Sequence, residues 1–440
     1  MTRSAVTFVS TRDPGRRPVT FEDALRRGLA PDGGLYVPTR VPSLAPGWAE
    51  AERWGDVIDA VLRPWFDPHD ADEWVADARS ALDFEVPVRP LGTETALLEL
   101  HHGPTLAFKD VAARTMGRWL ARSLRRRGET ATVLVATSGD TGGAVADGFA
   151  GIDGLRVVVL YPEGRVSPVQ ERQLTQPREG VMAVAVRGDF DACQRLAKQA
   201  LVDPALADLD LTSANSINVG RLLPQTTYHV WGVLQWARAC GVAASDVWSV
   251  VPSGNLGNLA AALLAAAMGA APRGLVAAHN ANDHFPRVLR GEAAAGDAPA
   301  TVATLSNAMD VGAPSNLERL VTLFAGGAYP VPVHGAGVDD EATLEAIRRC
   351  WFDHGVIVCP HTAVGLEALA RLRRRSTAAI AGPALVVATA HPAKFPEVVA
   401  RALPDVSVTH PALESLPSAR PDGTIAAEAD ALRDWLRHAL

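Results

Sequence analysis

Lysine is nearly absent from this sequence. Only Lys109, Lys198 and Lys394 stand beside 39 arginines in 440 residues. Arginine can serve wherever a fixed positive charge is enough, so a retained lysine suggests chemistry that arginine cannot perform. An amine can lose its proton and form a Schiff base with a carbonyl, whereas a guanidinium stays protonated. Biased codon usage explains the count as well, so scarcity alone leaves Lys109 open between a reactive amine and a surface charge.

The sequence also lacks the features of several other protein classes. The net charge is −7 and no basic region dominates, which argues against nucleic acid as a partner. The four cysteines show no Cys-x-x-Cys spacing, so we expect neither a metal site nor a disulfide framework. No apolar run approaches the ~18 residues of a membrane span, and no secretory signal pattern is present. We therefore expect a cytoplasmic protein with no membrane partner.

Strand and helix patterns alternate from about residue 95 onward. Residues 131–136, 156–161 and 247–251 are continuous β-branched runs, as expected for strands that are buried on both faces of a parallel sheet. Helical patterns such as 190–201 separate them. The alternation predicts an α/β fold with parallel sheets, and the length predicts more than one domain.

Two predicted strand-to-helix turns are rich in glycine and hydroxyl groups. Residues 137–143 read Thr-Ser-Gly-Asp-Thr-Gly-Gly, and residues 253–258 read Ser-Gly-Asn-Leu-Gly-Asn. Glycine lets backbone N–H groups approach an anion at such a turn, and the helix N-terminus adds a favourable dipole. One turn of this kind is weak support, but two predict two anionic groups in one cleft. Neither turn matches the dinucleotide fingerprint or the P-loop, so a nicotinamide cofactor is not expected.

Two more polar segments follow predicted strands. Residues 213–221 end with Arg221, whose guanidinium can bind phosphate through two hydrogen bonds, although a helix cap at Asn218 explains the segment equally well. Residues 388–395 lie at the end of a buried-strand pattern, where ligands usually bind in α/β sheets. A Schiff-base amine with separate anion sites is what a pyridoxal phosphate enzyme acting on an amino acid needs.

The chain resembles the threonine synthase family almost from end to end. The resemblance rests on GLAPDGGLYVP at 28, LEL-x-HGPTLAFKD around Lys109, TSGDTGGA at 137, YP-x-GRVSP-x-QE at 161, FDACQ at 190, ANSINVGRLLPQ at 214, VPSGN-x-GN at 251, ATLSNAMDVGAPSN at 303, PHTAVG at 360 and ATAHPAKF at 388. Several of these segments are long and specific, so chance does not explain them.

The resemblance implies a fold type II (tryptophan-synthase-β-like) architecture, in which the active site lies between two parallel-sheet α/β domains. It assigns residues 1–95 to a largely helical N-terminal segment packing on the large domain, 96–240 to a smaller domain with the Schiff-base lysine, and 241–440 to a larger domain with the cofactor phosphate loop. It further implies a monomeric or homodimeric lyase of threonine biosynthesis. The implied reaction turns O-phospho-L-homoserine and water into L-threonine and phosphate by γ-elimination and β-addition.

The resemblance also implies roles for individual residues. Lys109 would hold pyridoxal 5'-phosphate and move protons, and Thr389 would bond the pyridine nitrogen. The cofactor phosphate would lie on Gly254, Asn255, Leu256, Gly257 and Asn258, with Asp140 near the ring hydroxyl. The substrate would be bound by Thr137, Ser138, Thr141, Ser216, Asn218 and Arg221. For Lys394 a structural ion pair and an anion contact remain equally open, and Lys198 is expected at the surface.

Five positions depart from the family pattern inside otherwise matching segments. His101 replaces a large aromatic residue, His279 and His284 replace residues that are commonly threonine, Cys359 replaces an acidic residue, and Leu256 replaces phenylalanine. Neutral drift in the packing around the site explains these changes. Alternatively, the three histidines and the thiol alter specificity, because histidine titrates near working pH and can assist a different nucleophile.

Three functional alternatives follow. The chain is a paralogue with an altered substrate or acceptor, a catalytically silent binding homologue, or a dehydratase of the same fold. The presence of Lys109 and of both glycine-rich turns argues against a catalytically silent homologue. A dehydratase acting on serine or threonine would have no need for Ser216 and Arg221 as a phosphate grip.

Overall fold

The computed structural model describes residues 5–375 and 380–440. Its strands are β1 (Phe8–Ser10), β2 (Tyr36–Pro38), β3 (Val88–Pro90), β4 (Thr95–Glu99), β5 (Ala131–Ala136), β6 (Leu155–Pro162), β7 (Val181–Arg187), β8 (Leu211–Ser213), β9 (Trp248–Pro252), β10 (Gly274–His279), β11 (Val333–Gly337), β12 (Ala384–Ala388) and β13 (Gly423–Ala426).

The helices alternate with these strands over most of the chain. They are α1 (Phe21–Arg27), α2 (Trp54–Leu62), α3 (Ala71–Ala81), α4 (Lys109–Arg127), α5 (Asp140–Phe149), α6 (Pro168–Leu174), α7 (Phe190–Ala200), α8 (Val219–Leu222), α9 (Gln225–Cys240), α10 (Gly257–Ala267), α11 (His284–Leu289), α12 (Asn316–Leu323), α13 (Asp340–His354), α14 (Pro360–Arg375), α15 (Pro396–Ala402), α16 (Pro411–Glu414) and α17 (Ala429–Ala439).

Two mainly parallel sheets form the framework. The six-stranded sheet has the order β11-β10-β9-β12-β4-β3, and only the β3–β4 pair in it is antiparallel. The five-stranded sheet has the order β13-β7-β6-β5-β8 and is parallel throughout. The strands β5, β9 and β12 are buried along their whole length, which explains their unbroken apolar sequences. The predicted α/β fold with two parallel sheets is confirmed.

Sheet membership does not follow the predicted division of the chain. Strand β4 begins at Thr95 and joins the six-stranded sheet, although residues 96–240 were predicted to form the smaller domain. Strand β13 joins the five-stranded sheet from the C-terminal part of the chain. Helix α9, before residue 240, packs on α10 and α2. Both sheets therefore contain segments that are distant in sequence, a feature that local patterns do not reveal. The boundaries at 95 and 240 stay predictions.

The N-terminal helices anchor the helix that carries Lys109. The indole of Trp119, on α4, lies 5.3 Å from the Phe21 ring, 5.5 Å from Phe66 and 6.2 Å from Trp74 between ring centres. Its Nε1–H donates to the carbonyl of Trp74 at 2.8 Å. Edge-to-face aromatic pairs each contribute about 0.5–1.5 kcal/mol beyond the burial of their area. The cluster therefore fixes α4 against the N-terminal segment.

None of the helices in the described residues is both long and apolar enough to cross a membrane.

Candidate active site

A pocket forms where strands from both sheets end. The loops after β5, β8, β9 and β12 all contribute to its lining, and Lys109 at the start of α4 faces the same space. Carboxyl ends of parallel strands meet at one edge of a sheet, which brings together side chains that are far apart in sequence.

Lys109 is the first residue of α4 and lies against the end of β12. The backbone N–H of the preceding Phe108 donates to the carbonyl of Thr389 at 2.8 Å. Burial lowers the pKa of the Lys109 amine to about 8, the charge of Arg221 adds to this effect, and Asp140 opposes it. The positive end of the α4 dipole also disfavours an ammonium group. About a tenth of the amine is therefore unprotonated at pH 7.

The turn after β9 presents unpartnered backbone donors to the pocket. Leu256 adopts a left-handed conformation (φ 58°) and no side chain caps α10, so the first N–H groups of that helix remain free to bind an anion. A Cβ on Gly254 would stand 2.7 Å from the Cα of Met309, which leaves room for glycine alone. The buried Ser253 hydroxyl also has no hydrogen-bond partner among the described residues. All five predicted residues from Gly254 to Asn258 line the pocket.

Asp140 is held in its ionised form by Lys394. The ammonium of Lys394 is fully buried, lies 2.7 Å from Oδ1 of Asp140 and donates to the carbonyl of Thr105 at 2.8 Å. Gln170 donates to the same Oδ1 at 2.9 Å. Burial opposes the charge of Asp140, but the charge and hydrogen bond of Lys394 outweigh it and lower the carboxyl pKa. Of the two roles left open for Lys394, the geometry supports the ion pair.

Arg221 is a buried cation without an anionic partner. Its Nη1 donates to the carbonyl of Ala214 at 2.7 Å, while its buried Nε makes no hydrogen bond to any described residue. Within the described parts of the chain, no carboxylate comes within salt-bridge distance of its guanidinium. Burial lowers its pKa to about 10. Because an unpaired buried charge is costly, the arrangement fits a site that is completed by an anionic ligand.

The two anion-binding loops are connected by Asn255. Its Nδ2 donates to the hydroxyl of Ser216 at 2.8 Å, and its Oδ1 accepts from the backbone N–H of Ser315 at 2.5 Å. Ser216 and Arg221 line the pocket with Ser138, Thr141 and Thr389. The structure therefore brings most of the predicted cofactor and substrate residues to one place.

Thr137 and Asn218 instead have local structural roles. The hydroxyl of Thr137 accepts from the backbone N–H groups of Gly139 (2.9 Å) and Gly142 (2.8 Å), which closes the turn. Asn218 caps α8 through Gly220, and its Nδ2 donates to the carbonyls of Leu25 and Ser213. Neither side chain lines the pocket. A direct contact with substrate is not supported for either residue, because their polar atoms are already used.

The four residues that were predicted to alter specificity also lie outside this pocket. His101 and Cys359 line a second cavity at the ends of β4 and β12. This cavity lies on the opposite face from the cofactor pocket, because successive side chains along a strand point to opposite faces. His279 and His284 are buried near the end of β10, and their Nε2 atoms have no hydrogen-bond partner among the residues that the structure describes. Burial lowers the pKa of His101 and of His279 to about 4. The sulfur of Cys359 lies 4.0 Å from the Thr389 hydroxyl, so an effect on the site would act through Thr389.

Several residues at or behind the pocket were not assigned a role from the sequence. His361 lines it and accepts from the N–H of Ala308 through Nε2 at 3.1 Å, which leaves the ring proton on Nδ1. Behind the cofactor loop, Tyr228 and His229 bond Oδ1 of Asn258 at 2.7 and 2.9 Å. His361 lies in the segment PHTAVG, which contributed to the family resemblance, but the sequence pattern did not indicate a role for this histidine. Lys198, expected at the surface, is exposed at the mouth of the pocket.

These residues fit pyridoxal 5'-phosphate. The fit rests on an amine that is partly unprotonated, uncapped helical N–H groups, the unpartnered Ser253 hydroxyl and a hydroxyl at Thr389. The fold and the pocket thus define the class of fold type II pyridoxal-phosphate-dependent enzymes. In agreement, the family model described as "Pyridoxal-phosphate dependent enzyme" matches residues 88–390.

More specific comparisons agree with each other. Family models for the threonine synthase N terminus and C-terminal region match residues 7–73 and 362–433. Threonine synthase from Haemophilus influenzae is 39% identical over 391 residues, which is 88% of each chain. The crystal structure of Escherichia coli threonine synthase superposes with a TM-score of 0.89 at 34% identity, covering 99% of this chain and 100% of that one. The PLP-bound enzyme from Brucella melitensis gives a TM-score of 0.85 at 31% identity over 99% of both chains. The chain belongs to the threonine synthase family.

Proposed function

We propose that the protein converts O-phospho-L-homoserine and water into L-threonine and inorganic phosphate. The observation that carries this proposal is the buried, unpaired Arg221 in the same pocket as Lys109. The substrate supplies an amino group for chemistry at Lys109 and a phosphate dianion for Arg221. A dehydratase acting on serine or threonine would leave this cation without a partner.

The cofactor would be held by residues from both sheets. Lys109 binds its aldehyde, the N–H groups from Gly254 to Asn258 receive its phosphate, and the Thr389 hydroxyl meets its pyridine nitrogen. Asp140, which the Lys394 ion pair keeps charged, would interact with the ring hydroxyl. When bound, pyridoxal phosphate supplies an electrophilic aldehyde and a ring that accepts electrons from the substrate α-carbon.

The substrate would lie between the α5 and α8 ends of the pocket. Ser138 and Thr141, at the uncapped N-terminus of α5, donate to its carboxylate. Ser216 and Arg221 receive its phosphate, so positive charge is already in place when the leaving group becomes more negative. In the net reaction the Cγ–O bond to phosphate breaks, and the oxygen of water forms the new bond at Cβ.

Lys109 would move the protons of this reaction. The amine with a pKa of about 8 has an unprotonated fraction that can take the α-proton, while its protonated form can return a proton. Burial beside Arg221 keeps the amine in this range, and the charge of Asp140 prevents a larger shift.

The proposal is tested by incubating purified holoenzyme with O-phosphohomoserine and following threonine by mass spectrometry and phosphate by colorimetry. Equal amounts of both products are expected from the wild type and none from Lys109→Ala. O-acetylhomoserine, which lacks the phosphate, is the matched substrate control and should react poorly. Release of phosphate without threonine would favour a different acceptor. Absence of both products from wild-type enzyme that carries the cofactor would contradict the proposal.

Location and oligomeric state belong to the same proposal. Phosphohomoserine and pyridoxal phosphate are anions that do not cross membranes unaided, which supports a cytoplasmic enzyme. We propose a monomer or a homodimer, and light scattering on the holoenzyme distinguishes the two from larger assemblies.

A further inference from the structure

A second group of functional side chains surrounds the end of β4, outside the cofactor pocket. Oε2 of Glu99 lies 2.9 Å from Nε2 of His102 and 3.9 Å from Nε2 of His101. One atom from each of the three residues can be chosen so that all lie within 4.8 Å of one another. Glu99 and His101 are nearly buried, with 11% and 12% of their side chains exposed. Three convergent ligand atoms are therefore held on backbone that the strand end fixes.

The group faces a cavity of its own. Glu99, both histidines, His391 and His410 line it. The rings of His101 and His391 are 5.4 Å apart, and those of His391 and His410 are 4.9 Å apart between centres. The outer two histidines, His391 and His410, each cap a short helix through Nδ1, so the cap does not use Nε2. Four of the chain's 12 histidines thus line one cavity, and two of them, His101 and His102, lie beside the Glu99 carboxylate.

We propose that Glu99, His101 and His102 bind a divalent transition metal of the zinc class. Metal–ligand bonds of 2.0–2.2 Å place tetrahedral ligand atoms about 3.3–3.6 Å from one another, and the two measured separations of 2.9 and 3.9 Å lie on either side of that range. Two imidazoles and one carboxylate form a ligand set that suits zinc, with one position left open for water or a nearby histidine. His101 supplies the second of the two imidazoles, beside that of His102.

The surrounding charges allow such an ion. Arg89 lies 3.6 Å from Oε1 of Glu99, the carboxylate oxygen that does not face the histidines. It can orient the carboxylate from outside, as second-layer groups do at metal sites. Arg114 also lines the cavity, but it is engaged by Asp83 and Asp147.

The site would stabilise the segment that leads to Lys109. Residues 100–108 connect the proposed ligands to α4, and this segment bonds β12 through Leu100–Ala388 and Phe108–Thr389. Because the cofactor pocket and the metal cavity share no lining residue, metal can bind while cofactor and substrate are present. Its occupancy should raise the thermal midpoint of unfolding.

The test uses tag-free holoenzyme that has been treated with chelator and then desalted. Equilibrium dialysis against Zn²⁺ with elemental analysis should give one tightly bound ion per chain. His101→Phe and Glu99→Gln should each weaken binding by at least about 10–100-fold, the loss known for changes even outside the first ligand layer. The matched control is His69→Gln, which removes an exposed histidine far from the cluster in sequence and should bind like the wild type.

Folding of each variant is checked by its cofactor absorbance and circular dichroism. If the variants do not fold, X-ray absorption at the zinc edge of the wild type decides, because the site requires two imidazole ligands and one carboxylate. The proposal is overturned by a wild type without stoichiometric zinc, by His101→Phe and Glu99→Gln binding like the wild type, or by an edge spectrum without imidazole.

Discussion

Replacing Lys394 by methionine tests how the protein keeps a charged carboxylate inside its active site. Methionine has nearly the same length and fills the buried channel of the lysine stem, so the packing is largely preserved. What is lost is the 2.7 Å ion pair with Asp140 and the 2.8 Å hydrogen bond to the Thr105 carbonyl. Gln170 still donates a hydrogen bond to Oδ1 of Asp140.

The cost of this change follows from burial. Lys394 is inaccessible and only 5% of the Asp140 side chain is exposed, so solvent cannot replace the missing charge. Removing one partner of such a pair typically costs about 3–5 kcal/mol. At about 2 °C per kcal/mol, the lower end of the range for large domains, the thermal midpoint should fall by roughly 6–10 °C at neutral pH.

The loss must depend on pH in a defined direction. In the wild type the pKa of folded Asp140 is below its unfolded value, so the pair stabilises the fold above about pH 4, and this stabilisation is lost as the pH falls further. In the variant, burial without Lys394 raises the pKa of folded Asp140 above its unfolded value. Stability then declines as the pH rises above about 4. The difference between the two proteins should therefore be smaller near pH 4 than at neutral pH, where the variant alone has lost stability.

Thermal unfolding followed by tryptophan fluorescence from pH 4 to pH 8 measures this difference. The double variant Asp140→Asn with Lys394→Met removes both charges and should recover much of the loss at neutral pH. A deficit of Lys394→Met that is equal at all pH values, or a double variant no more stable than the single one, would refute the role of the ion pair.

Three more predictions concern the pocket. Arg221→Gln should lower kcat/KM for phosphohomoserine by about 10–150-fold, which corresponds to the loss of a charged hydrogen bond, and should leave the cofactor absorbance unchanged. Steady-state kinetics checks this, and Arg221→Lys should recover part of the activity. An unaltered kcat/KM in Arg221→Gln would contradict the binding of the substrate phosphate by Arg221. The rate at which apoenzyme takes up pyridoxal phosphate should rise with pH and level off above about pH 8, because burial lowers the pKa of Lys109 to about 8; a rate that still rises tenfold per pH unit between 9 and 10 speaks against this shift. Gly254→Ala should weaken cofactor binding about 10–100-fold by fluorescence titration, since its Cβ would collide with the backbone of Met309; Gly296→Ala, which meets open space, is the control and should match the wild type.

The sequence predicted the parts of the site that depend on backbone. Glycine-rich turns after buried strands located the loops at 137 and 253, because a helix that begins after such a strand has free N–H groups at the sheet edge. Lys109 could be singled out because lysine is rare and the residues around it form a specific segment. The pairing of distant strands could not be predicted, because β4 pairs with β12 and β13 pairs with β7, and the two strands of each pair lie far apart in the chain.

The hydrogen-bond and ion-pair partners of the site residues were harder to predict from the sequence than the location of those residues in the fold. A polar residue in a binding loop can serve the loop itself, as Thr137 does by accepting two turn N–H groups. The role of Lys394 depended on Asp140, more than 250 positions earlier, and no local pattern connects the two. His101 was expected near the substrate, but it lies on the other face of the strand end, where a shift of one residue reverses the direction of a side chain.

Strand β13 imposes an order on the assembly of the nascent protein. It covers the edge of β7, and its neighbour Asp422 exchanges hydrogen bonds with the backbone of Ala183 at 2.7 Å. During synthesis about 240 residues separate the end of β7 from β13, so at 5–20 residues per second the edge of β7 stays open for about 10–50 s. An open strand edge is a template for pairing with other chains. The ribosome-bound chain therefore passes through a period in which its five-stranded sheet is vulnerable to aggregation. Chaperones that shield strand edges should act in that interval.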